Sequence, residues 1–208
     1  MSQITDSREG LQFFGRVSAS VSHEIKNVFA VINEAAGLIQ DFTLMAERGM
    51  PLEPERLKKA ADSIKGQVQR GDGIVRNMNA MAHSTDDDLH EIDVVETLEL
   101  TMALATRMAD MKQVRLTVGD CEPCSMTADK FDLMRLLHSS LAAVIETMES
   151  GENLIVGVTP TPNGAKFVFS ISGKGAPEVS GLEGLVRKMN AAVAKNDSNG
   201  TVELLFMQ

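Results

Sequence analysis

Two long stretches of the chain carry apolar residues at spacings of three or four, and a short break separates them. The first stretch has Val17, Val21, Ile25, Val28, Ile32, Ala35, Ile39 and Phe42. The second has Leu57, Ala61, Ile64, Val68, Gly71, Val75, Met78 and Ala82. Gly49, Pro51 and Pro54 interrupt the pattern between them. This spacing is typical of amphipathic helices, so the sequence predicts two long helices joined as an antiparallel hairpin.

A hairpin of this kind leaves much of its apolar surface uncovered. Pairing two copies into a four-helix bundle would bury that surface. We therefore expect the chain to form a homodimer through the hairpin.

The second half of the chain has a different character. The polar, acidic residues 84–92 mark a boundary, which predicts a helical domain at 1–86 and a second domain at 87–208. In the second domain the patterns predict helices at 94–112, 129–150 and 181–196, and strands at 113–119, 153–160, 165–172 and 200–208. The predicted fold class is α+β: a helical hairpin followed by an α/β sandwich, in which helices cover one face of a largely antiparallel sheet.

The composition of the chain argues against nucleic acid and membranes as partners. The formal net charge is −9, which disfavours nucleic acid and anionic membranes as partners, since both favour clustered Lys and Arg. No uninterrupted apolar run reaches the roughly 18–20 residues of a membrane-spanning helix, and the N-terminus does not have the layout of a signal peptide. We expect a cytoplasmic protein. Cys121 and Cys124 form a single C-x-x-C, which we interpret as a turn between strands, because a zinc site needs further ligands.

The first predicted helix carries a polar cluster of four residues, namely His23, Glu24, Lys26 and Asn27. At about 100° per residue, His23 lies roughly 200° from Val21 around the helix, on the side away from the apolar seam. Asn27 lies about 40° from His23 on the same side. The imidazole is therefore predicted to be exposed to solvent.

These four side chains suit phosphoryl chemistry. A nucleophilic imidazole needs a free nitrogen and an open approach path. Glu24 is placed to hold the imidazole tautomer, Lys26 to offset the charge of an incoming phosphoryl group, and Asn27 to position a water. A lone exposed histidine is usually only solvated, so the functional interpretation depends on its neighbours.

The motif "SHEIKN" at 22–27 resembles the H-box of histidine kinases, with Val28 where a proline is usual. The resemblance continues through "IVRNMNAMAHSTD", "EIDVVETLELTMALA" and "DKFDLMRLLHSSLAAVIETMESGENLIVGV", the last being similar to the helix that carries the N-box of the kinase ATPase domain. The resemblance implies a dimeric phosphotransfer hairpin, with His23 as the phosphoacceptor, followed by an ATPase-like domain.

The ATPase-like half departs from the kinase pattern at the positions that hold nucleotide. Ser139 and Ala143 stand where the N-box has two asparagines, and Ile171 stands where an aspartate reads adenine. Gly173 and Gly175 remain from the first glycine box, but the segment after them is too short for a normal ATP lid. We expect no cofactor of its own and no ATP-dependent kinase activity. Whether residual nucleotide binding persists is left open.

This combination resembles dimeric histidine phosphotransferases with a degenerate ATP-binding domain. The resemblance implies transfer of a phosphoryl group between His23 and response-regulator receiver domains, with Mg²⁺ on the partner receiver, and makes a hybrid kinase another candidate partner. Two alternatives stay open. Glu24 and Asn27 also fit an E-x-x-N motif by which some family members dephosphorylate receivers. The chain could also be a non-catalytic binding module that captures a kinase or receiver as an inhibitor or scaffold.

Overall fold

The computed structural model describes residues 2–162, 164–172, 175–177, 181–196, 198 and 200–206. The helices are α1 Ser2–Glu47, α2 Pro54–His83, α3 Val94–Lys112, α4 Lys130–Thr147 and α5 Glu183–Lys188. The strands are β1 His90–Asp93, β2 Arg115–Cys121, β3 Ser125–Ala128, β4 Asn153–Thr161, β5 Gly164–Ile171, β6 Ala191–Asn196 and β7 Thr201–Phe206. The fold is α+β, with a long helical hairpin followed by a region of helices and sheet, which confirms the predicted class.

The chain divides into two compact units. Residues 14–79 form the hairpin unit, and residues 1–13 together with 80–208 form the sheet unit. These units do not coincide with the predicted domains 1–86 and 87–208, because the first turns of α1 and the last turn of α2 pack within the sheet unit. The predicted domain boundary itself stays a prediction.

Glycine and proline set the turn of the hairpin unit. Gly49 has a φ of 83°, in the left-handed region that glycine adopts without strain. It lies just after Glu47, the last residue of α1. Its amide donates to the carbonyl of Ala46, and the amide of Met50 donates to the carbonyl of Met45, which satisfies carbonyls at the helix end. Pro54 occupies the first position of α2, where its missing N–H costs nothing.

The predicted apolar seam is confirmed on α1 and only half confirmed on α2. Every seam residue of α1 is buried or partly buried within the chain. On α2, however, Ala61, Val68 and Val75 are exposed, whereas Ala60 is buried and Gly71 contacts the Val28 side chain. The prediction was wrong for the first three because the α2 pattern contains two apolar stripes, and only one of them faces α1.

The sheet unit is built on a five-stranded sheet of order β2-β4-β5-β7-β6. β2 and β4 run parallel, and the other neighbouring pairs are antiparallel. Alternate residues of β4 and β5 are buried, and they share one core with α3 and α4. Asp93 and Asp129 cap α3 and α4, each accepting a hydrogen bond from the amide three residues later, at 2.9 Å and 3.0 Å. The predicted helices and strands up to residue 172 are confirmed within a few residues.

Two segments differ from the prediction. The predicted helix at 181–196 is wrong: α5 ends at Lys188, Asn190 adopts a φ of 48°, and the remaining residues form β6, which pairs with β7. The polar stretch at 84–92 is not only a linker, since His90–Asp93 forms β1 and pairs antiparallel with β3 in a two-stranded sheet.

The first helix also bears on the question of a membrane. Within Asp6–Glu47 of α1, an 18-residue window has a mean hydropathy of 1.3 and at most two charged residues. By length and composition this one helix is able to cross a membrane, although polar residues interrupt its apolar runs. Helices packed in soluble proteins have the same properties, so cytoplasmic localisation and the lack of a membrane partner stay predictions.

Candidate functional site

His23 lies in the regular middle part of α1, within the hairpin unit. Its side chain is exposed, and so are those of Lys26 and Asn27, one turn further along the helix. The predicted exposure of the imidazole is thus confirmed for the single chain. The three side chains leave the approach to His23 open to a large partner.

Glu24 points in a different direction from His23. Consecutive residues of a helix are about 100° apart, so their side chains do not face each other. The Glu24 side chain is mostly buried, and its carboxylate lies 3.8 Å from the guanidinium of Arg70 on α2. The carboxylate therefore takes part in joining the two helices. The role predicted for it, holding the His23 tautomer, stays a prediction.

Arg70 is the residue of this site that sequence reasoning missed. Nothing in its local sequence marks it, since it lies among polar residues of α2. Its position beside Glu24 follows from the register of the hairpin in the folded structure, in which Arg56 lies over the ring of Phe42 and Gly71 lies against Val28. With that register, α2 residues near 70 face the α1 segment that contains the polar cluster around His23.

A groove between α1 and α2 begins about 12 Å further along the hairpin from His23, at 1.5 Å per residue. Its lining mixes apolar and charged side chains, with Phe42 near the turn and a cation–π contact from Arg56 at 5.9 Å. The lining residues are Val31, Glu34, Ala35, Leu38, Phe42, Arg56, Lys59, Ala60 and Ser63. A surface of this composition suits contact with another protein.

The positions that the sequence resemblance assigns to a nucleotide site lie in the sheet unit. Ser139 and Ala143 are on α4 and are partly exposed. Ile171 ends β5, and its side chain is buried in the core. Gly173 lies outside the described residues, as does Lys174 beside it, whereas Gly175 is in a bend. None of the three side chains offers a carboxylate or an amide.

Cys121 and Cys124 stand at the connection between β2 and β3, as predicted. Both are free thiols and partly buried. Burial raises the pKa of the Cys124 thiol, and the nearby Asp93 and Cys121 raise it further, which disfavours the reactive thiolate. Among the residues that the structure describes, no group of three or more His, Cys, Asp and Glu side chains is placed to hold a metal ion.

No protein-family model matches the chain. In sequence it is similar to the sensor protein DegM of Bacillus sp. (strain B21-2), with 23% identity over 162 residues that cover 77% of this chain and 39% of DegM. The chain thus spans about two fifths of the length of this curated relative. The match is to a protein named as a sensor protein, and by itself it assigns this chain no activity.

Among solved structures, a bacterial phosphotransferase is 12% identical and has a TM-score of 0.48, with 93% of this chain and 95% of that chain covered. The Acinetobacter baumannii histidine kinase AdeS is 12% identical with a TM-score of 0.47, covering 89% of this chain and 98% of that chain. The catalytic domain of the histidine kinase ThkA is 14% identical with a TM-score of 0.49, covering 58% and 95%. Likeness at this level identifies no activity.

Proposed function

We propose that the protein is a histidine phosphotransferase of a two-component phosphorelay, with His23 as the phosphoacceptor. The observation that carries the proposal is the exposed imidazole within an H-box-like motif on a regular helix of the hairpin unit. A free imidazole nitrogen attacks the phosphorus of a receiver aspartyl phosphate, so that an N–P bond forms and the aspartate carboxylate leaves. Because both phosphorylated groups are high in energy, the transfer can run in either direction.

The residues at the nucleotide positions support a phosphotransferase over an ATP-dependent kinase. Phosphoryl transfer from ATP depends on positioning and on neutralising charge through metal ions. Ala143 has no atom that binds a metal ion. Ile171 stands at the position where the kinase pattern has an aspartate that binds adenine, and its apolar side chain is packed in the core. The phosphoryl group is therefore expected to come from a phosphorylated receiver domain, with Mg²⁺ bound by that receiver.

The groove between α1 and α2, which begins about 12 Å along the hairpin from His23, supports a protein as the phosphoryl donor. Receiver domains are expected to contact the hairpin over a surface much larger than one side chain, and a standard interface buries about 800 Å² on each partner. Glu34, Arg56 and Lys59 give the groove charges of both signs next to apolar residues, a pattern that can select one partner over another.

We also propose that the hairpin unit dimerises. Phe29 is 63% exposed and Val68 is 56% exposed in the single chain, and Val75 lies two turns after Val68 on the same stripe of α2. Burying one such side chain stabilises a complex by about 1.5–3 kcal/mol. A second copy of the hairpin would cover these residues and complete a four-helix bundle.

One observation favours a second candidate, a receiver phosphatase. Asn27 is exposed one turn after His23, where its amide could orient a water against a receiver's phosphoryl group. In that reaction Asn27 is needed and the imidazole of His23 is not. A passive binding module would need neither side chain.

The experiment is to incubate the protein with a receiver domain that carries labelled phosphate. We expect the label to move onto this chain, and His23→Ala to abolish both the labelling and the faster loss of phosphate from the receiver. Asn27→Ala should leave labelling largely intact, because the amide does not form the N–P bond. The chain should gain no label from Mg-ATP.

The other outcomes each point to a different function. Faster receiver dephosphorylation that survives His23→Ala and stops with Asn27→Ala would identify a phosphatase. A receiver phosphate lifetime unchanged by the wild-type protein would identify a binding module. Labelling from Mg-ATP would overturn the proposal in favour of a kinase.

A further inference from the structure

A cleft of about 310 Å³ opens in the sheet unit at the N-terminal end of α4. Its walls come from β3, from the end of α5 and from Phe206, the last residue of β7. Asp129, which lines it, precedes Ser139 by ten residues, a distance of about 15 Å along α4. The cleft is therefore separate from the positions that the sequence resemblance assigns to a nucleotide.

Much of the cleft wall is apolar. The side chains of Met126 and Phe206 are buried at its base, and Met189, directly after α5, packs against the same core. Leu89 lines the cleft as well and is 72% exposed. Concave sites of roughly 300–1,000 Å³ with apolar walls and a few polar groups are the usual form of a small-ligand site.

The ammonium of Lys188 lines the cleft, but carboxylates of the chain already neutralise it. It lies 2.6 Å from the Asp6 carboxylate and also binds Asp132. The guanidinium of Arg135 donates to the same two carboxylates, at 2.9 Å to Asp6 and at 2.8 Å to Asp132. Two cations and two carboxylates balance in this cluster, so Lys188 has little charge to offer a ligand.

Asp129 is the carboxylate of the cleft that this cluster does not balance. As the N-cap of α4 it accepts a hydrogen bond from the amide of Asp132 at 3.0 Å, and within the described part of the chain no ion pair includes it. Burial raises the pKa of the Asp129 carboxyl, and the charge of Asp132 raises it further, against the opposing effect of the amide. A half-buried carboxylate in this position is stabilised by a cation that reaches it.

The surroundings of the cleft are acidic. Asp86, Asp87 and Asp88 are exposed and directly precede Leu89 in the chain. Together with Asp129 they give the entrance a negative potential, which attracts cations and repels anions. The charge of the cleft therefore determines the sign of the ligand that it accepts.

We propose that this cleft binds an ammonium group carried on a short apolar chain, with the ammonium donating to the Asp129 carboxylate and the chain lying against Met126 and Phe206. A free alkylamine and the lysine side chain of a partner protein share this chemistry. The site is independent of phosphoryl transfer at His23.

Methyl NMR of the full-length chain, labelled with ¹³C at the methionine methyl groups, tests the proposal with hexylammonium as the probe. The Met126 and Met189 resonances should shift saturably. Hexanoate, which has the opposite charge, and methylammonium, which lacks the chain, should cause no saturable shift. Asp129→Asn should weaken hexylammonium binding at least about tenfold, because it removes a charge-assisted hydrogen bond, while asparagine still caps the helix.

A lysine derivative distinguishes the two sources of the ammonium group. N-acetyl-lysine-N-methylamide presents the same group as a protein side chain does. If it binds more tightly than hexylammonium, the cleft accepts a lysine of a partner protein, and if it binds more weakly, the cleft accepts a free amine. Either result retains the cation site.

Asp93→Asn is the matched control. Asp93 caps α3 as Asp129 caps α4, with a hydrogen bond of 2.9 Å from the amide of Glu96, but it does not line the cleft, so hexylammonium binding should not change. Unshifted Met126 and Met189 resonances with both amines would overturn the proposal. Equal responses to hexanoate or methylammonium, or equal weakening by Asp93→Asn, would overturn it as well.

Discussion

The hairpin unit and the sheet unit differ in how completely they bury their large apolar side chains, although Leu11, Leu89 and Met111 of the sheet unit are exposed as well. In the sheet unit, side chains such as Leu137, Leu141 and Phe167 are completely buried between the helices and the sheet. In the hairpin unit, many large apolar side chains remain exposed, namely Phe29, Val31, Leu38, Leu44, Met45, Val68 and Val75. A contiguous apolar surface on a soluble chain usually marks an interaction site. The comparison indicates that internal contacts stabilise the sheet unit, whereas the hairpin unit has apolar surface that suits contact with another protein.

The ion pairs follow the same division. In the sheet unit, Asp132 and Arg135 are buried and hydrogen-bonded to each other. In the hairpin unit, the pairs Arg56–Glu53 and Arg76–Asp72 are exposed, where such pairs contribute about 0–1 kcal/mol. Charges therefore help to hold the sheet unit in one arrangement, whereas in the hairpin unit these two exposed pairs contribute little and the pair of Glu24 with Arg70 joins the helices.

A leucine-to-alanine substitution should lower the free energy of unfolding much more in the sheet unit than in the hairpin unit, and this is the largest effect that we predict. Leu137→Ala removes a fully buried side chain in the sheet unit and should lower the free energy of unfolding by about 2–5 kcal/mol. Leu38→Ala removes a side chain that is 45% exposed in the hairpin unit and should cost less than about 1 kcal/mol. Urea titration of both variants measures the difference. Equal losses would mean that Leu38 is as well covered in solution as Leu137.

A charged side chain introduced on the exposed stripe of α2 should prevent the hairpin units of two chains from forming a dimer. Val68→Glu places a carboxylate at the proposed dimer interface. Light scattering should show a monomer, and far-UV circular dichroism should show unchanged helical content. Val118→Glu, at a valine of β2 that is 40% exposed, is the matched control and should leave the dimer intact. A wild-type chain that is monomeric at micromolar concentration would contradict the proposed homodimer, and a dimer that survives Val68→Glu would move the interface to another face.

The hairpin could be predicted from sequence because its signal is local and periodic. The exposure of His23 follows from the same periodicity, since its angle around the helix is fixed by its distance from Val21 and Val28. Which stripe of α2 faces α1 could not be predicted, because Ala61, Val68 and Val75 are as apolar as the residues that pack inside. Whether these three residues are buried depends on a second protein surface, and the sequence of one chain does not specify that surface.

Non-local contacts explain what the sequence did not predict. Residues 191–196 contain three alanines and a lysine, which suit a helix, but they pair with β7 and form the edge of the sheet. The pairing outweighs local propensity. The contact of Glu24 with Arg70 is equally non-local, and so is the contact of Asp6 with Arg135. Each depends on chain segments that approach only in the folded structure.

The smallest effects should come from two glycines of α2. An added Cβ at Gly66 meets no atom within 4 Å, whereas at Gly71 it lies 3.3 Å from Val28 Cγ1. Alanine is favoured over glycine in a helix by about 0.8–1.0 kcal/mol. Gly66→Ala should therefore raise the free energy of unfolding of the hairpin by most of that amount, and Gly71→Ala should gain less because the contact with Val28 is crowded.

The crowding at Gly71 can be tested separately, because one side chain, that of Val28, causes it. Val28→Ala removes the methyl group in question and should destabilise the hairpin, since Val28 is buried. In that background Gly71→Ala no longer meets Cγ1 and should recover the stabilisation that Gly66→Ala shows in both backgrounds. Non-additivity between positions 28 and 71, and additivity between 28 and 66, would locate the contact between the helices. If Gly71→Ala gives the same gain with and without Val28→Ala, the two helices do not approach as closely at this point in solution as the structure shows.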